Sequence, residues 1–346
     1  MIFCGDLVFP GAFSDQQLIC DDSRFWRDSK FINLESSIRT SPTQKITRGV
    51  ALQSSPCVAD FLCSISASAV SFANNHFFDY QINCVEQKEF LSGRGISSIG
   101  AGENLKQASQ PYFNKEENTV VLAFGWHVIG CPPANESSAG VNPHNYEWVL
   151  ACVSDARKKY PNALLVVVFH WNYEFEQYPQ PADRAFAFHL IDSGADAIVG
   201  HHAHIIQGFE YYQGKPIFYG LGNLYFPNGE YDGLNVAFPE TVNFGLSVGI
   251  STDGIQAYIT EFTENSRLRV VEQGPPESLE RLTRLSNFSG MSHQEYIDFF
   301  KVHRKKNKLL PIYRDFQAKS RNRMRDRLVK TRQVPIDLLC RLRGAR

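Results

Sequence analysis

Short apolar runs in this chain end on carboxylate, carboxamide or imidazole side chains. Asp6 closes the first run, Glu35 follows the run at 31–34, and His170 follows the run at 164–169. Two further runs are followed by the clusters Asn74, Asn75 and His76 and His201, His202 and His204. The carboxyl ends of the strands in an open α/β sheet meet at one crevice, where ligands bind. The pattern therefore predicts a sheet whose polar strand ends form a single site.

Segments of helical spacing alternate with these runs. They cover 56–65, 84–93, 145–159 and 183–193, and such alternation is typical of layered α/β domains. After Gly200 the apolar runs are joined by turns at 213–214 and 253–254, which predicts antiparallel hairpins. We expect an α/β fold in which two β-sheets pack as a sandwich flanked by helices.

The near-zero net charge of −1 conceals a strong asymmetry. Residues 301–346 hold 16 Lys and Arg against 3 Asp and Glu, so this stretch carries +13 and residues 1–300 carry −14. Three interpretations of the basic stretch remain open. The first is a solvated helix docked on the acidic body. The second is a contact for an anionic membrane surface, where each nearby Lys or Arg contributes about 1 kcal/mol. The third and least favoured is a nucleic-acid contact.

The chain start and the cysteines bear on location. Met1 leads directly into the first apolar run, without the basic region and cleavage site of a signal peptide. No run approaches the roughly 20 apolar residues of a membrane span. The 8 cysteines form no CxxC pair, which disfavours a zinc ribbon or a dithiol redox motif. We expect a cytoplasmic protein, with a peripheral position at the inner membrane face left open.

The residue types at the strand ends are those of a divalent-metal site, since carboxylate, carboxamide and imidazole all ligate such ions. A lone Asp after a strand is otherwise a turn residue or a helix cap, and His170 beside Trp171 is otherwise a hydrogen-bonded core histidine. The three imidazoles at 201–204 are harder to explain in that way. In extended chain, positions i and i+2 point the same way, so His202 and His204 are expected to share one site.

Seven motifs occur in one order along the chain. They are Gly5-Asp6, Asn33-Leu34-Glu35, Ala73-Asn74-Asn75-His76 with Asp79, Gly100-Ala101-Gly102-Glu103-Asn104-Leu105, His170-Trp171 with Glu174, Gly200-His201-His202-Ala203-His204 and Gly220-Leu221-Gly222-Asn223. In this order the chain resembles the CapA family of bacterial capsule and poly-γ-glutamate biosynthesis proteins, which have a calcineurin-like metallophosphoesterase fold. The resemblance covers about residues 1–265. We expect that domain to be followed by a helical, strongly basic extension at 266–346.

The resemblance implies a dinuclear centre. Asp6 and His204 would bind the first metal, Glu35 would bridge both, and the second metal would take Asn75, His170 and His202. His76 would donate the proton to the leaving oxygen, with Asp79 orienting it. Two divalent ions are expected, and mixed oxygen and imidazole ligands suit Mn, Fe or Zn. The candidates for contacting substrate are Glu174, His201, Asn223 and His127.

One departure from the wider superfamily leaves two functions open. The first motif of that superfamily is Asp-x-His, but here Val8 occupies the histidine position. The first metal would therefore have three protein ligands, and the occupancy of its site is uncertain. The favoured function is a metal-dependent phosphoester hydrolase acting on a phosphorylated sugar or polymer intermediate in capsule or cell-surface polymer biosynthesis. The alternative is a non-hydrolytic accessory subunit that binds polymer or partner proteins in a capsule or poly-γ-glutamate assembly complex. Whether the substrate is a monoester or a diester is not determined by the sequence.

Overall fold

The computed structural model describes residues 1–9, 19–21, 23–47, 49–263, 267–305 and 310–344, with side chains in the last helix described to residue 332. In chain order the strands are β1 (Ile2–Leu7), β2 (Ile19–Cys20), β3 (Lys30–Leu34), β4 (Ser37–Ile38), β5 (Gln53–Ser54), β6 (Ala67–Ser71), β7 (Ser97–Ile99), β8 (Ala101–Gly102), β9 (Tyr112–Asn114), β10 (Thr119–Gly125), β11 (Gly140–Val141), β12 (Leu164–His170), β13 (Ala197–His201), β14 (Phe209–Tyr212), β15 (Lys215–Phe218), β16 (Asn223–Tyr225), β17 (Gly229–Tyr231), β18 (Leu234–Val236), β19 (Phe244–Ser251), β20 (Gly254–Thr263) and β21 (Arg267–Gly274). The α-helices are α1 (Val58–Ser64), α2 (Cys84–Ser92), α3 (Leu105–Ala108), α4 (Tyr146–Lys159), α5 (Pro181–Asp192), α6 (Glu280–Leu285), α7 (His293–His303) and α8 (Lys319–Gly344).

Two sheets form the centre of the fold. The larger has the order β2-β21-β20-β19-β1-β3-β6-β7, with β16 also paired to β1, and the smaller has the order β14-β15-β13-β12-β10-β9. Strands β1, β3, β6 and β7 run parallel, as do β10, β12, β13 and β15, whereas β19, β20 and β21 form an antiparallel run. The predicted α/β sandwich is confirmed.

The two sheets bury a common apolar layer between them. Phe3 and Phe31 of the larger sheet belong to the same buried cluster as Val166, Val168 and Val199 of the smaller sheet. Alternate residues of the same strands point outward. In β1 and β3, for example, Cys4 and Ile32 belong to a second cluster under helices α1 and α2. A third cluster lies between the smaller sheet and helices α4, α5 and α7. Each fully buried large apolar side chain contributes about 1.5–3 kcal/mol, so these layers hold the strand ends in place.

Local sequence accounts for where the helices begin. The Asn83 side chain accepts hydrogen bonds from the first turn of α2, and the Asn145 side chain does the same for α4. Helix α5 begins with Pro181, and a capping box between Ser292 and Glu295 starts α7. These are the preferred residues for satisfying amide groups that have no partner within the helix.

Strand register brings the polar strand ends together. Asp6 pairs with Asn33 of β3 on one side and with Asn223 of β16 on the other. In the smaller sheet His170 pairs with His201. Both sheets therefore present these polar side chains at the carboxyl ends of parallel strands, which is the position that the sequence pattern predicts.

The chain after residue 266 is not wholly helical. Residues 267–274 form strand β21, which lies between β20 and the short edge strand β2 in the larger sheet. The helical prediction is wrong for this stretch, because its alternating burial suits a strand and β20 offers an open edge. The division of the chain at residue 265 stays a prediction. Every helix in the described ranges is too short or too polar to cross a bilayer.

The C-terminal helices are docked on the body. Arg184 of α5 forms a buried ion pair with Glu210 at 2.7 Å and also donates to the Met291 carbonyl, which joins α5 to the segment before α7. Tyr313 packs against Trp126 with 5.1 Å between ring centroids, and its backbone pairs with Ala182. The Arg184 guanidinium is therefore engaged in internal contacts.

Candidate metal centre

Asp6 lies at the carboxyl end of β1, fully buried among polar groups. Its Oδ1 accepts a hydrogen bond from Asn33 Nδ2 at 2.7 Å and lies 2.9 Å from His201 Nδ1. Its Oδ2 accepts from the His202 amide at 3.2 Å and lies 3.4 Å from His204 Nδ1. Burial alone would raise the pKa of Asp6, but the hydrogen bonds from His201 and His204 hold it well below its usual range. Asp6 is therefore an anion ready to bind a cation.

Glu35 is 0% exposed, and neither of its carboxylate oxygens has a hydrogen-bond partner among the described residues. Its Oε1 lies 3.4 Å from His170 Nε2 and 3.6 Å from His204 Nε2. Burial raises the pKa of Glu35 to about 8. A buried carboxylate without partners is costly, and a bound cation would remove that cost.

Two groups of potential ligands meet at Glu35. One consists of Asp6, Glu35 and His204, and the other of Glu35, His170 and His202, with the ligand atoms of each group within 4.8 Å of one another. Asn75 adjoins the second group, since its Oδ1 lies 2.7 Å from His170 Nε2. The arrangement can hold metal ions on either side of one shared carboxylate, and its donors are all oxygen or imidazole nitrogen.

The imidazoles of the second group are available as ligands. Burial lowers the pKa of His170 and of His202 well below the usual range, so both rings are neutral. The ring centroids of the two lie 4.8 Å apart, and His202 Nδ1 is buried without a hydrogen-bond partner in the part of the chain that the structure describes. Neutral imidazole is the form that binds metals.

The backbone of the histidine cluster differs from the extended chain assumed above. His202 has a φ of 85° and His204 a φ of 56°, both in the left-handed region. The two rings consequently fall into different groups, His202 beside His170 and His204 beside Asp6, and only Glu35 is common to both. Backbone strain of this kind in non-glycine residues is concentrated at functional sites.

His76 and Asp79 form a separate pair at the edge of the centre. His76 Nδ1 lies 2.6 Å from Asp79 Oδ2, which also accepts a hydrogen bond from the Leu52 amide at 2.8 Å. Burial lowers the pKa of His76, but the Asp79 carboxylate outweighs this, and the pKa lies above its usual value. The Asp79 carboxylate therefore favours the protonated form of the ring.

The other predicted contacts fall in different places. Asn223 lies in the centre, where its Oδ1 is 3.0 Å from His204 Nδ1. Glu174 lies close enough for its charge to raise the pKa of His76 and of His204. His127 instead faces helix α8, with its Nε2 3.4 Å from Asp326 Oδ2. No contact in the described part of the chain joins His127 to the ligand groups, because the residues after β10 turn toward the C-terminal helix.

Asn33, Asn74 and Gly5 support the centre without having been assigned a role from the sequence. Asn33 fixes Asp6, while Asn74 donates to the Leu34 carbonyl at 2.8 Å and accepts from the His76 amide at 3.1 Å. A Cβ at Gly5 would lie 2.2 Å from the Gly222 carbonyl oxygen, so only glycine allows β16 to approach β1. In the sequence, these three residues could be singled out only as members of the seven motifs.

A two-sheet sandwich with these ligand groups at its strand ends defines an α/β protein of the calcineurin-like metallophosphoesterase type. The chain belongs to the bacterial capsule synthesis protein family PGA_cap, whose sequence profile matches residues 3–228. The match ends well before the basic stretch.

Three relatives illustrate the similarity. The chain is 31% identical over 185 residues to the PGA biosynthesis protein CapA of Bacillus subtilis, covering 52% of this chain and 48% of the relative. It is 32% identical over 195 residues to the capsule biosynthesis protein CapA of Bacillus anthracis, covering 54% and 46%. A probable polyglutamine synthesis accessory protein of Mycobacterium tuberculosis is 28% identical over 222 residues, covering 60% and 57%. The chain thus spans about half the length of these relatives.

Proposed function

We propose that the protein is a metal-dependent phosphoester hydrolase acting on a phosphorylated sugar or polymer intermediate in capsule or cell-surface polymer biosynthesis. The observation that carries this proposal is the buried Glu35 carboxylate, unpartnered and shared by two ligand groups. Two-metal phosphoester hydrolysis uses two divalent ions held close together, and a carboxylate common to both ligand groups would help to hold such a pair.

The chain's residues divide the work of holding the ions. Asp6, Glu35 and His204 would hold the first, and Glu35, Asn75, His170 and His202 the second. Bound divalent ions, Mn, Fe or Zn on this donor set, supply Lewis-acid stabilisation of phosphoryl charge and lower the pKa of water. Asn33 and His201 orient Asp6 through hydrogen bonds, and such supporting contacts typically change metal affinity by about 10–100-fold.

Proton transfer falls to His76. The Asp79 carboxylate fixes the His76 ring through Nδ1 and favours its protonated form, which leaves Nε2 as the atom that would give a proton to the leaving oxygen. General acid help of this kind contributes about 10²–10⁴-fold. Glu174, His201 and Asn223 border the same space and are the proposed contacts for substrate. His127 is not included, since it faces Asp326.

Elemental analysis followed by assays on a panel of phosphomonoesters and phosphodiesters tests the proposal. The purified chain should contain divalent metal and hydrolyse at least one ester. Chelation and His202→Ala should each abolish most of the activity, and His76→Ala should do so on esters with poor leaving groups. His293→Ala, at an exposed position on α7, is the matched control and should leave activity unchanged. A metal-loaded chain that is inert on every ester would refute hydrolysis.

A second candidate is the non-hydrolytic accessory subunit. It is favoured by the first ligand group, which has three side chains because Val8 stands at the position of the superfamily's histidine, and by the word "accessory" in the name of one relative. This function predicts partner-dependent polymer synthesis that survives His202→Ala. The hydrolase predicts that the same variant stops synthesis even when the assembly proteins are bound.

The proposal also includes the division of the chain into domains and the location of the protein in the cell. We assign the catalytic unit to residues 1–265 and treat 266–346 as an added basic extension. We place the protein in the cytoplasm, peripherally at the inner face of the membrane, with residues 301–346 as the part in contact. Liposome binding by the full chain is the corresponding measurement.

A further inference from the structure

Helix α8 has one face docked on the body. Asn322 and Val329 are buried, and the Asn322 side chain donates to the Asp315 carbonyl at 2.9 Å. Asp326, the one acidic side chain between 319 and 332, accepts a hydrogen bond from the Tyr313 hydroxyl at 2.7 Å and faces His127. Asn322 and Asp326 therefore lie on the side of α8 that faces the body.

The opposite side of α8, which we call the outer face, is exposed, basic and partly apolar. Met324 is 59% exposed and Leu328 is 57% exposed, four residues apart and therefore neighbours on the helix surface. Four exposed cations accompany this pair, with Arg321 and Arg327 beside it and Arg323 and Lys330 on the flank of the helix. Among residues 319–332 no exposed side chain is acidic. The outer face thus combines two exposed apolar side chains with four positive charges.

We propose that the outer face of α8 binds an anionic lipid surface, with Met324 and Leu328 inserted between headgroups and the four cations over anionic lipid. The apolar pair favours lipid over nucleic acid, since a single-strand site would present exposed aromatic rings for base stacking and this face presents none among residues 319–332. A basic helix with an apolar stripe lying in the interface plane is an established mode of membrane binding. The inference deepens the peripheral location proposed above and does not depend on hydrolysis.

The docked face links this surface to the metal centre. The segment that contacts α8 begins at Trp126, whose amide donates to the His170 carbonyl at 3.0 Å, and continues through His127. Its end at Gly130 is close to Asn75, because a Cβ on Gly130 would lie 3.5 Å from Asn75 Cβ. One short segment therefore separates the ligand groups from the docked side of α8.

Cosedimentation with vesicles of phosphatidylcholine alone, or with added phosphatidylglycerol, tests the proposal on the full chain in EDTA, where no metal chemistry contributes. The wild type should bind only the anionic vesicles and be released by salt. At about fivefold per cation, R321Q/R323Q/R327Q/K330Q should weaken binding by at least about a hundredfold, and M324S/L328S should also weaken it. The control K106Q/K115Q/K158Q/K301Q removes four lysines elsewhere and should bind far more tightly than the α8 charge variant.

Several results would overturn the proposal. These are absence of binding to anionic vesicles at low salt, equal binding to neutral vesicles, or wild-type binding by either α8 variant with circular dichroism and thermal melting unchanged. Tighter binding to single-stranded RNA than to anionic vesicles, lost in the charge variant, would assign the face to nucleic acid instead. If vesicle binding is as expected while no phosphoester is hydrolysed, only the proposed activity fails.

Discussion

His201 Nδ1 lies 2.9 Å from Asp6 Oδ1, whereas the ring of the adjacent His202 turns toward His170 and leaves its Nδ1 unpartnered. Consecutive imidazoles thus have different tasks. The first holds a carboxylate ligand in position, and the second is itself a candidate ligand. This division accounts for a run of histidines without requiring all of them to touch one ion.

Replacing the two histidines separately should distinguish these tasks. His202→Ala should remove a ligand and abolish binding at the second position, whereas His201→Ala should only weaken the first position, by about 10–100-fold, because Asp6 loses one orienting contact. Metal titration calorimetry with elemental analysis measures both. Equal metal loss in the two variants would contradict the division.

Glu35→Gln should eliminate stabilisation by metal. An ion at 100 times its dissociation constant stabilises the wild type by about 2.7 kcal/mol, and the variant should show no such gain because the anionic ligand shared by both groups is neutral. The metal-free variant should fold as well as the wild type at neutral pH, since the raised pKa keeps Glu35 protonated and the amide that replaces it is also uncharged. Thermal melting with and without Mn²⁺ tests this. Glu116→Gln, at an exposed position, is the control and should retain the gain.

Leaving-group dependence should expose the role of His76. His76→Ala should slow hydrolysis of an alkyl phosphoester by about 10²–10⁴-fold but slow a nitrophenyl ester much less, since a good leaving group needs no proton. Metal content should be unchanged. An equal loss on both esters would argue for a structural role.

Asp79→Asn should move the pH profile. Activity that needs protonated His76 falls as pH rises through the pKa of His76, which the Asp79 carboxylate holds above its usual value. Removing that charge lowers the pKa, so the alkaline limb of kcat should shift to lower pH. A profile that keeps its alkaline limb would contradict the assignment.

The Arg184–Glu210 pair should matter for stability and not for metal. Glu210→Gln leaves a buried guanidinium without its anion, and the free energy of unfolding should fall by about 3–5 kcal/mol. Urea unfolding measures the loss, and metal affinity per folded molecule should be unchanged. Asp155→Asn breaks the exposed pair with Lys158 and should cost under about 1 kcal/mol.

Asp183 should make stability depend on pH. Burial raises the pKa of Asp183 to about 7, so the folded chain holds a proton that the unfolded chain has lost. Its contribution to the free energy of unfolding is complete below about pH 4 and is lost as pH rises to about 7, by at most about 4 kcal/mol. Asp183→Asn should be more stable than the wild type at pH 8 and similar at pH 4. Identical pH dependence in both proteins would contradict this.

Much of the centre could be predicted because it depends on strand ends. Asp6, Glu35 and His170 each follow an apolar run, and parallel strands must bring such positions together. The sandwich followed from alternating runs and the later hairpins. Both are local patterns whose spatial consequence is fixed by sheet geometry.

What could not be predicted depends on partners far apart in the chain. Nothing near Arg184 indicates that Glu210 will bury it, and nothing near His127 indicates that Asp326 lies opposite. Strand β21 forms because β20 offers an edge. The positive φ values at His202 and His204 likewise arise where the chain leaves β13, and residue spacing cannot show them.

The shared apolar layer between the sheets has a consequence for how this fold can evolve. Phe3 and Phe31 pack against Val166 and Val168 without any help from the polar strand ends. A lineage could therefore exchange Glu35 or His202 and still inherit an intact scaffold. The candidate ligand groups and the architecture of this fold are separable traits, and one can change without the other.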